Sequence, residues 1–494
     1  MRFNRRPLAV ILYAAAVGLL LPARALSEPT AQEVLDAMKQ ASDFMMNTVS
    51  YRGGFVDKYT DDLSERWGEV PARPTMIWVQ ETGTVSVGKA MLDAYKRTGD
   101  AAFLAYAERV ANALIWGQLP CGGWHYFIDF DPEGTQQWYH EVLEKAWGWE
   151  EFYHWSGNAT FDDNTSIGAA SFLLDIYETT QKPEYRTPVE KAIQFVLDAQ
   201  YPLGGWPQRY PLSHDAPFEG RPDYSPFYTF NDGVISGCIQ FLLRAHALFG
   251  GERYHDAAIR GMFFTVLAQM PRPQAGWAQQ YDMDLKPAQA RSYEPASVNP
   301  SQTVENIHTL MKYYKMIGDR RFLQGIADAI EWLKNSPLPA GQSSDGHTHA
   351  QFLEVGSNKP LYAHRSGTGV EDGRYWVDYQ PGNFPDHYGM QVTIDVDALR
   401  AEYERVNALT PEEAIVEGRK EAEAAEPAST PAADTIAKMI QSLDSRGAWV
   451  EELQVVDYTD WKYKPRRIFR GYSTATFVNN LRALSAYVQT RSER

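Results

Sequence analysis

The residues best suited to chemistry lie in one short stretch. Between Gly204 and Leu212 the chain reads Gly-Gly-Trp-Pro-Gln-Arg-Tyr-Pro-Leu, and Thr229-Phe230-Asn231-Asp232-Gly233 follows closely. Trp206 and Tyr210 offer flat aromatic faces; Gln208, Arg209, Asn231 and Asp232 offer directional donors and acceptors. Together they are what a protein needs to hold a sugar ring, by stacking on its apolar face and bonding its hydroxyls. Aromatic residues make up 13% of the chain, with 14 Trp and 28 Tyr, more than an ordinary core uses. A carbohydrate-facing cleft is one reading of that excess, and a large core with aromatic loops is its bland rival.

The elements that would position these residues are helices. Apolar residues recur with a helical period in Val85 to Thr98 and Ala101 to Leu119, separated by Gly99-Asp100 as cap and turn. The plan returns at 169–180 with 188–200, at 234–250 with 254–270, and at 302–317 with 321–333, where Gly318-Asp319 repeats the turn. Gln118-Leu-Pro-Cys-Gly-Gly-Trp124 and Gln200-Tyr-Pro-Leu-Gly-Gly-Trp206 share one frame, and Ala275-Gly276-Trp277 is a degenerate third copy. Repeated helical hairpins with equivalent loops must stack to bury their inner faces. The expected fold is all-α: an (α/α) toroid whose long loops line a central cleft, with an open solenoid as the alternative.

The chain begins with a basic segment (Arg2, Arg5, Arg6), an apolar run from Leu8 to Leu21 and Ala23-Arg24-Ala25, the layout of an export signal over residues 1–25. Its removal takes away four arginines and no acid, moving the formal charge from −16 to −20. So acidic a chain argues against nucleic-acid binding. No later stretch is apolar enough to span a membrane. A soluble, monomeric, periplasmic or extracellular protein is expected. Cys121 and Cys238 are too few for a disulfide scaffold, and their pairing is open. The toroid is expected over 30–410, a Glu/Ala/Pro-rich linker or inserted helix over 411–433, and a helical segment docking on the toroid over 434–494.

The Gln-x-x-x-Gly-x-Trp frame also occurs in squalene-type terpene cyclases, but Asp129-Phe-Asp131 and Asp395-Val-Asp397 lack the third acid those need. Four segments instead resemble, in order, the pectate lyases of polysaccharide lyase family ten. They are Phe161-Asp162-Asp163-Asn164-Thr165-Ser166, Gly205 to Leu212 with Phe230-Asn231-Asp232, Pro287 to Ser301, and Phe352 to Pro360 leading to Arg365-Ser366-Gly367. The resemblance spans roughly residues 80–400. It implies a lyase cleaving pectate or a related polyuronate by β-elimination. Calcium would be held by Asp162, Asp163 and Asp232; Arg291 would be the base, with Tyr293 as a fallback, and Arg365 would bind substrate carboxylate. Trp206, Gln208, Tyr210, Asn231, Tyr293 and Gln351 complete the implied substrate-binding set.

Two positions depart from the family pattern. Ala350-Gln351-Phe352 stands where the family has a second substrate-binding arginine, and Asp163 where it more often has Asn. Positive charge falls as negative charge rises, and a Gln loses the bidentate fork. Each residue also has a structural rival. Asp162 and Asp232 suit helix N-caps; Arg291 suits an ion pair with Glu294 or Glu305; Trp206 and Trp124 suit the toroid rim. His347-Thr-His349 has metal-site spacing but no companion ligand. A non-catalytic glycan-binding protein is one alternative function. An inverting glycoside hydrolase is another, using Glu294 or Glu371 opposite Asp162 or Asp232.

Overall fold

The computed structural model describes residues 28–142, 157–212, 223–366, 374–385, 388–424, 431–455 and 467–492. The leader at 1–25, Gly367 and Glu371 lie outside them. A capping box between Thr30 and Glu33 starts α1 (Ala31–Phe44). The next two helices, α2 (Thr84–Thr98) and α3 (Ala101–Trp116), form the first hairpin. Gly99 ends α2 at φ 71°, and Asp100 caps α3 by accepting from Ala102 N. After α4 (Pro132–Val142) come α5 (Thr165–Thr180) with α6 (Pro183–Ala199), and α7 (Val234–Phe249) with α8 (Glu252–Leu267). The fourth unit is α9 (Pro300–Ile317) with α10 (Ile326–Lys334), joined through Gly318 at φ 73° and the Asp319 cap.

The first helices of the pairs stand side by side, with α2 against α5 and α5 against α7. These are the stacked hairpins of an (α/α) toroid. Then come α11 (Val396–Asn407), α12 (Pro411–Glu423), α13 (Ala433–Gln441) and α14 (Thr474–Ser492). Helix α12 lies along α9, while α14 packs between α1 and α2. The loops carry short strands that the helical period does not announce. Residues 467–473 pair with 451–455 and 58–60, and 360–366 with 352–354 and 374–378.

One pattern of bonds is repeated at the first three hairpins. The indole N–H of Trp124, Trp206 and Trp277 donates to Leu114 O, Val196 O and Thr265 O, at 2.8, 2.8 and 2.7 Å. The carbonyls of the same tryptophans accept from Thr160, Thr229 and Asn299 N, at 2.9, 3.1 and 2.7 Å. Gln118 Nε2 bonds Gly122 O and Pro188 O, Gln200 Nε2 bonds Gly204 O and Ala257 O, and Gln269 Nε2 bonds Ala275 O and Gly325 O. Each amide therefore closes its own loop and ties it to the second helix of the next pair. The Gln-to-Trp frame is a stitch between repeats. In the third copy the loop is two residues longer, which hides Gln269 from the sequence pattern.

Gln200→Ala removes one donor that serves two carbonyls, at 2.9 and 2.8 Å. We expect it to cost about 1–3 kcal/mol, read as a lower melting temperature by calorimetry, with the turnover of the folded fraction unchanged.

Candidate active site

The site is built on the turns that lead into α5 and α7. Phe161 N donates to Gln208 O and Phe230 N to Gln279 O, both at 2.8 Å, so the two turns enter in the same register. That register aligns Asp162 with Asn231 and Asp163 with Asp232. Asp163 and Asn164 have φ of 47° and 57°; Asp232 and Gly233 have 57° and 67°. Such left-handed pairs favour Asn, Asp and Gly. Neither helix has a side-chain N-cap, so the capping role that Asp162 and Asp232 could have filled is not what they do.

Asp162 is 1% exposed and fully engaged. Its Oδ2 accepts from Tyr126 Oη at 2.5 Å and Arg291 Nη2 at 3.0 Å, and its Oδ1 from Gln208 Nε2 at 3.2 Å. Arg291 is clamped on its other side by Glu294, with Nη1 to Oε1 at 3.1 Å and its backbone N–H to Oε2 at 3.2 Å. Asp163 and Asp232 are exposed. Gln80 donates to Asp163, and also to Glu69 at 3.2 Å. Asn231 Nδ2 donates to Asp232 Oδ2 at 2.7 Å, while its Oδ1 accepts from Gln280 Nε2 at 2.6 Å.

Asp162 and Asp232 touch, and their protons separate accordingly. Burial alone would raise the Asp162 carboxyl. The Arg291 charge, then hydrogen bonds from Asp232, Tyr126 and Gln208, outweigh it and hold the group below its ordinary value. Asp232 opens to solvent on one side but is walled by protein on the others. This desolvation, then the Asp162 charge, pushes it well above the carboxylate range. One proton is therefore shared by the pair and resides mainly on Asp232. Nearby, burial and then the Arg209 charge depress His125 and keep it neutral. Burial, followed by the Glu294 charge, raises the Tyr388 phenol.

This constellation lies inside the segment that comparison with known proteins identifies. Residues 135–379 match the pectic acid lyase family. The chain is a pectic acid lyase-like enzyme. No curated protein matches the sequence significantly. Among solved structures it is similar to the family 10 polysaccharide lyase from Cellvibrio cellulosa, with 18% identity over 66% of this chain and 98% of that one, at a TM-score of 0.43. A mutant of that lyase in complex with trigalacturonic acid aligns over 65% and 98%, with the same identity and score. A glycoside hydrolase family 76 mannosidase from Bacteroides thetaiotaomicron covers 94% of this chain and 99% of its own, with 11% identity and a TM-score of 0.44.

In this pectic acid lyase-like chain several expected substrate contacts are buried instead. Trp206 has no exposed surface and is one of the stitches described above, so its place as a sugar platform is corrected. Gln208 is 1% exposed and bonds Asp162; Arg365 is 0% exposed on its strand. Neither offers a surface to substrate. Asn231 is buried and holds Asp232. Tyr210 packs edge-on to Phe195 of α6, and Tyr293 is buried against Tyr375 and Tyr388. Gln351 accepts from Ser301 Oγ at 2.8 Å near the start of α9.

The expected cation ligands are adjacent, but they do not close on one point. Among the described residues, three ligand-type side chains have all donor atoms within 4.8 Å only at Glu252, His255 and Asp256, on the surface of α8. His349 Nε2 meets Leu333 O and His347 Nδ1 meets Thr393 Oγ1, so the His-Thr-His pair serves local structure. Asp129 and Asp131 are both bound by Arg73. Cys121 and Cys238 are free thiols. Glu294 is committed to Arg291, and Glu371, the other acid of the hydrolase alternative, lies outside the described residues.

Sequence reasoning missed Tyr126 and Gln80. Extending the Gly-Trp frame by two residues would have found Tyr126, because Trp124-His-Tyr126 aligns with Trp206-Pro-Gln208 and both ends bond Asp162.

A carboxyl raised in the folded state contributes stability that is full below its unfolded value and is lost as pH rises through the folded value. Asn at position 232 mimics the protonated form at every pH. In chelator at pH 8, Asp232→Asn is therefore expected to melt a few degrees above wild type. The gap should close as pH falls towards the ordinary carboxylate range, followed by thermal melts across pH.

Proposed function

We propose that this chain is a secreted polysaccharide lyase that cleaves pectate or a related polyuronate by calcium-assisted β-elimination. The observation that carries this reading is the contact of Asp162, Asp232 and Arg291 at the starts of α5 and α7, within the pectic acid lyase match. The proton removed in such a reaction lies beside a carboxylate and is weakly acidic, so negative charge must be stabilised as it develops.

Calcium suits the donor chemistry. Asp162, Asp163 and Asp232 offer only carboxylate oxygens, and burial followed by the Asp162 charge disfavours the Asp232 anion, which a cation would relieve. Asp163 and Asp232, open to solvent, would hold the ion with Asp162 behind them. Bound there, the ion would neutralise the substrate carboxylate and acidify the adjoining C–H. Gln80 and Asn231 orient the two exposed carboxylates, while Tyr126 and Gln208 fix Asp162.

Arg291 as it stands is a charged donor between two carboxylates, suited to pairing with a uronate. To act as the base it would have to leave both of them. Tyr293 is the secondary candidate, buried among aromatic rings. This engagement of Arg291 favours one second reading, a protein that binds the polymer without cleaving it. Export rests on the leader-like first 25 residues. Among the described residues no helix is long and apolar enough to cross a membrane.

Absorbance at about 235 nm separates the readings, because elimination creates a conjugated double bond and hydrolysis does not. On polygalacturonate the mature protein is expected to give a calcium-dependent rise that chelator abolishes. Arg291→Ala is expected to lower the rate by at least ~100-fold. Retention on the polymer with no rise across a panel of polyuronates would instead establish the binding protein.

A further inference from the structure

A second surface, at the end of the molecule that carries Asp162 and Asp232, has the chemistry of a polysaccharide contact. Trp116, the last residue of α3, is 50% exposed, in contrast to the buried tryptophans of the stitches. Its indole stacks on Phe130, with centroids 4.2 Å apart and planes at 28°. The Arg52 guanidinium lies over the same Phe130 ring at 5.2 Å, and Tyr51 packs against it at 5.7 Å. The next residue, Gly117, packs closely on the Phe127–Asp129 strand, since a Cβ there would fall 2.2 Å from Ile128. Because α3 runs antiparallel to α2, Trp116 lies at the same end as Gln80 and the acids. The strand Phe127–Asp129 links Phe130 to the ladder that precedes α2.

The Arg52 backbone adds an independent observation. Tyr51 and Gly54 exchange both backbone hydrogen bonds at 3.0 Å, with Arg52 and Gly53 between them at φ of 50° and 92°. Two successive positive φ values suit Asn or Gly, and a long side chain at the first carries strain. Among the described residues Arg52 has no ion pair. The adjacent acids, Asp129 and Asp131, are taken by Arg73. In a chain of formal charge −16, an exposed arginine without a carboxylate partner, on a strained turn beside an open indole, matches an anionic ligand with an apolar face.

We propose that Trp116 and Arg52 form a polymer-binding platform outside the catalytic cleft, which takes an acidic polysaccharide by stacking one ring on the indole and pairing a carboxylate further along the chain with Arg52. The identity of the sugar as a uronate rests on the reading above; the geometry of the platform does not.

The test is retention in native gels containing polygalacturonate, alginate or a neutral galactan, compared for wild type, Trp116→Ala and Arg52→Gly. Glycine suits the positive φ of the turn, and a thermal melt of each variant separates loss of binding from loss of fold. Both variants are expected to lose retention on an acidic polymer by about tenfold, while elimination of trigalacturonate in the cleft proceeds unchanged. If elimination is absent in all three proteins but the variants still lose retention, the lyase reading fails and the platform stands. Equal retention of all three proteins on every acidic polymer, or absence of retention throughout, overturns the platform. So does equal loss on neutral galactan, which would remove the role of charge.

Discussion

The architecture depends on satisfying the polar backbone at the ends of helical hairpins that are themselves apolar. A hairpin such as α5–α6 buries its faces only against its neighbours, and its connecting loop must pass through that packed region with its carbonyls bonded. In the first three repeats one tryptophan and one glutamine meet this requirement. The indole fills the space and donates to its own second helix, while the amide serves two repeats at once. Gly204 makes the close approach possible: it has φ 107°, and a Cβ there would fall 2.3 Å from Arg260 O. Because the same bonds recur, each repeat delivers the start of its first helix to the same level.

That regularity brings charges together that would otherwise separate. Asp162 and Asp232 come from adjacent repeats, and neither would be placed against another carboxylate for stability alone. They are tolerated because Arg291 faces one and a proton neutralises the other. Positive ends of the helix dipoles of α5 and α7 lie immediately behind them. The result is a site balanced between a proton and a guanidinium, to which the proposed calcium would add an external charge. A polyanionic substrate approaching so acidic a protein would require such local compensation.

Parts of this were legible from residues in order. The helical period and the Gly-Asp turns announced the hairpins, since capping and amphipathicity are local. Asp162, Asp232 and Arg291 were picked out by resemblance, and the Arg291–Glu294 pair was available as a rival because its members are three residues apart. The burial of Trp206 and Arg365 was not legible. An aromatic ring beside Gly-Gly-Trp-Pro-Gln reads equally well as a sugar platform or a structural stitch, because sequence does not say which side of a loop meets solvent. Trp116, which the sequence offered only as part of an apolar helical face, is 50% exposed.

By itself the sequence determined the helices, their repetition and the kinship of residues 135–379, because these depend on local propensity and on order along the chain. Only the tertiary structure decided which side chains meet across repeats. Asp162 and Arg291 are 129 residues apart in the chain and 3.0 Å apart in space. Whether an acid binds a cation, shares a proton or pairs with arginine depends on such distances and on the water excluded around them, and neither quantity is encoded in spacing along the chain.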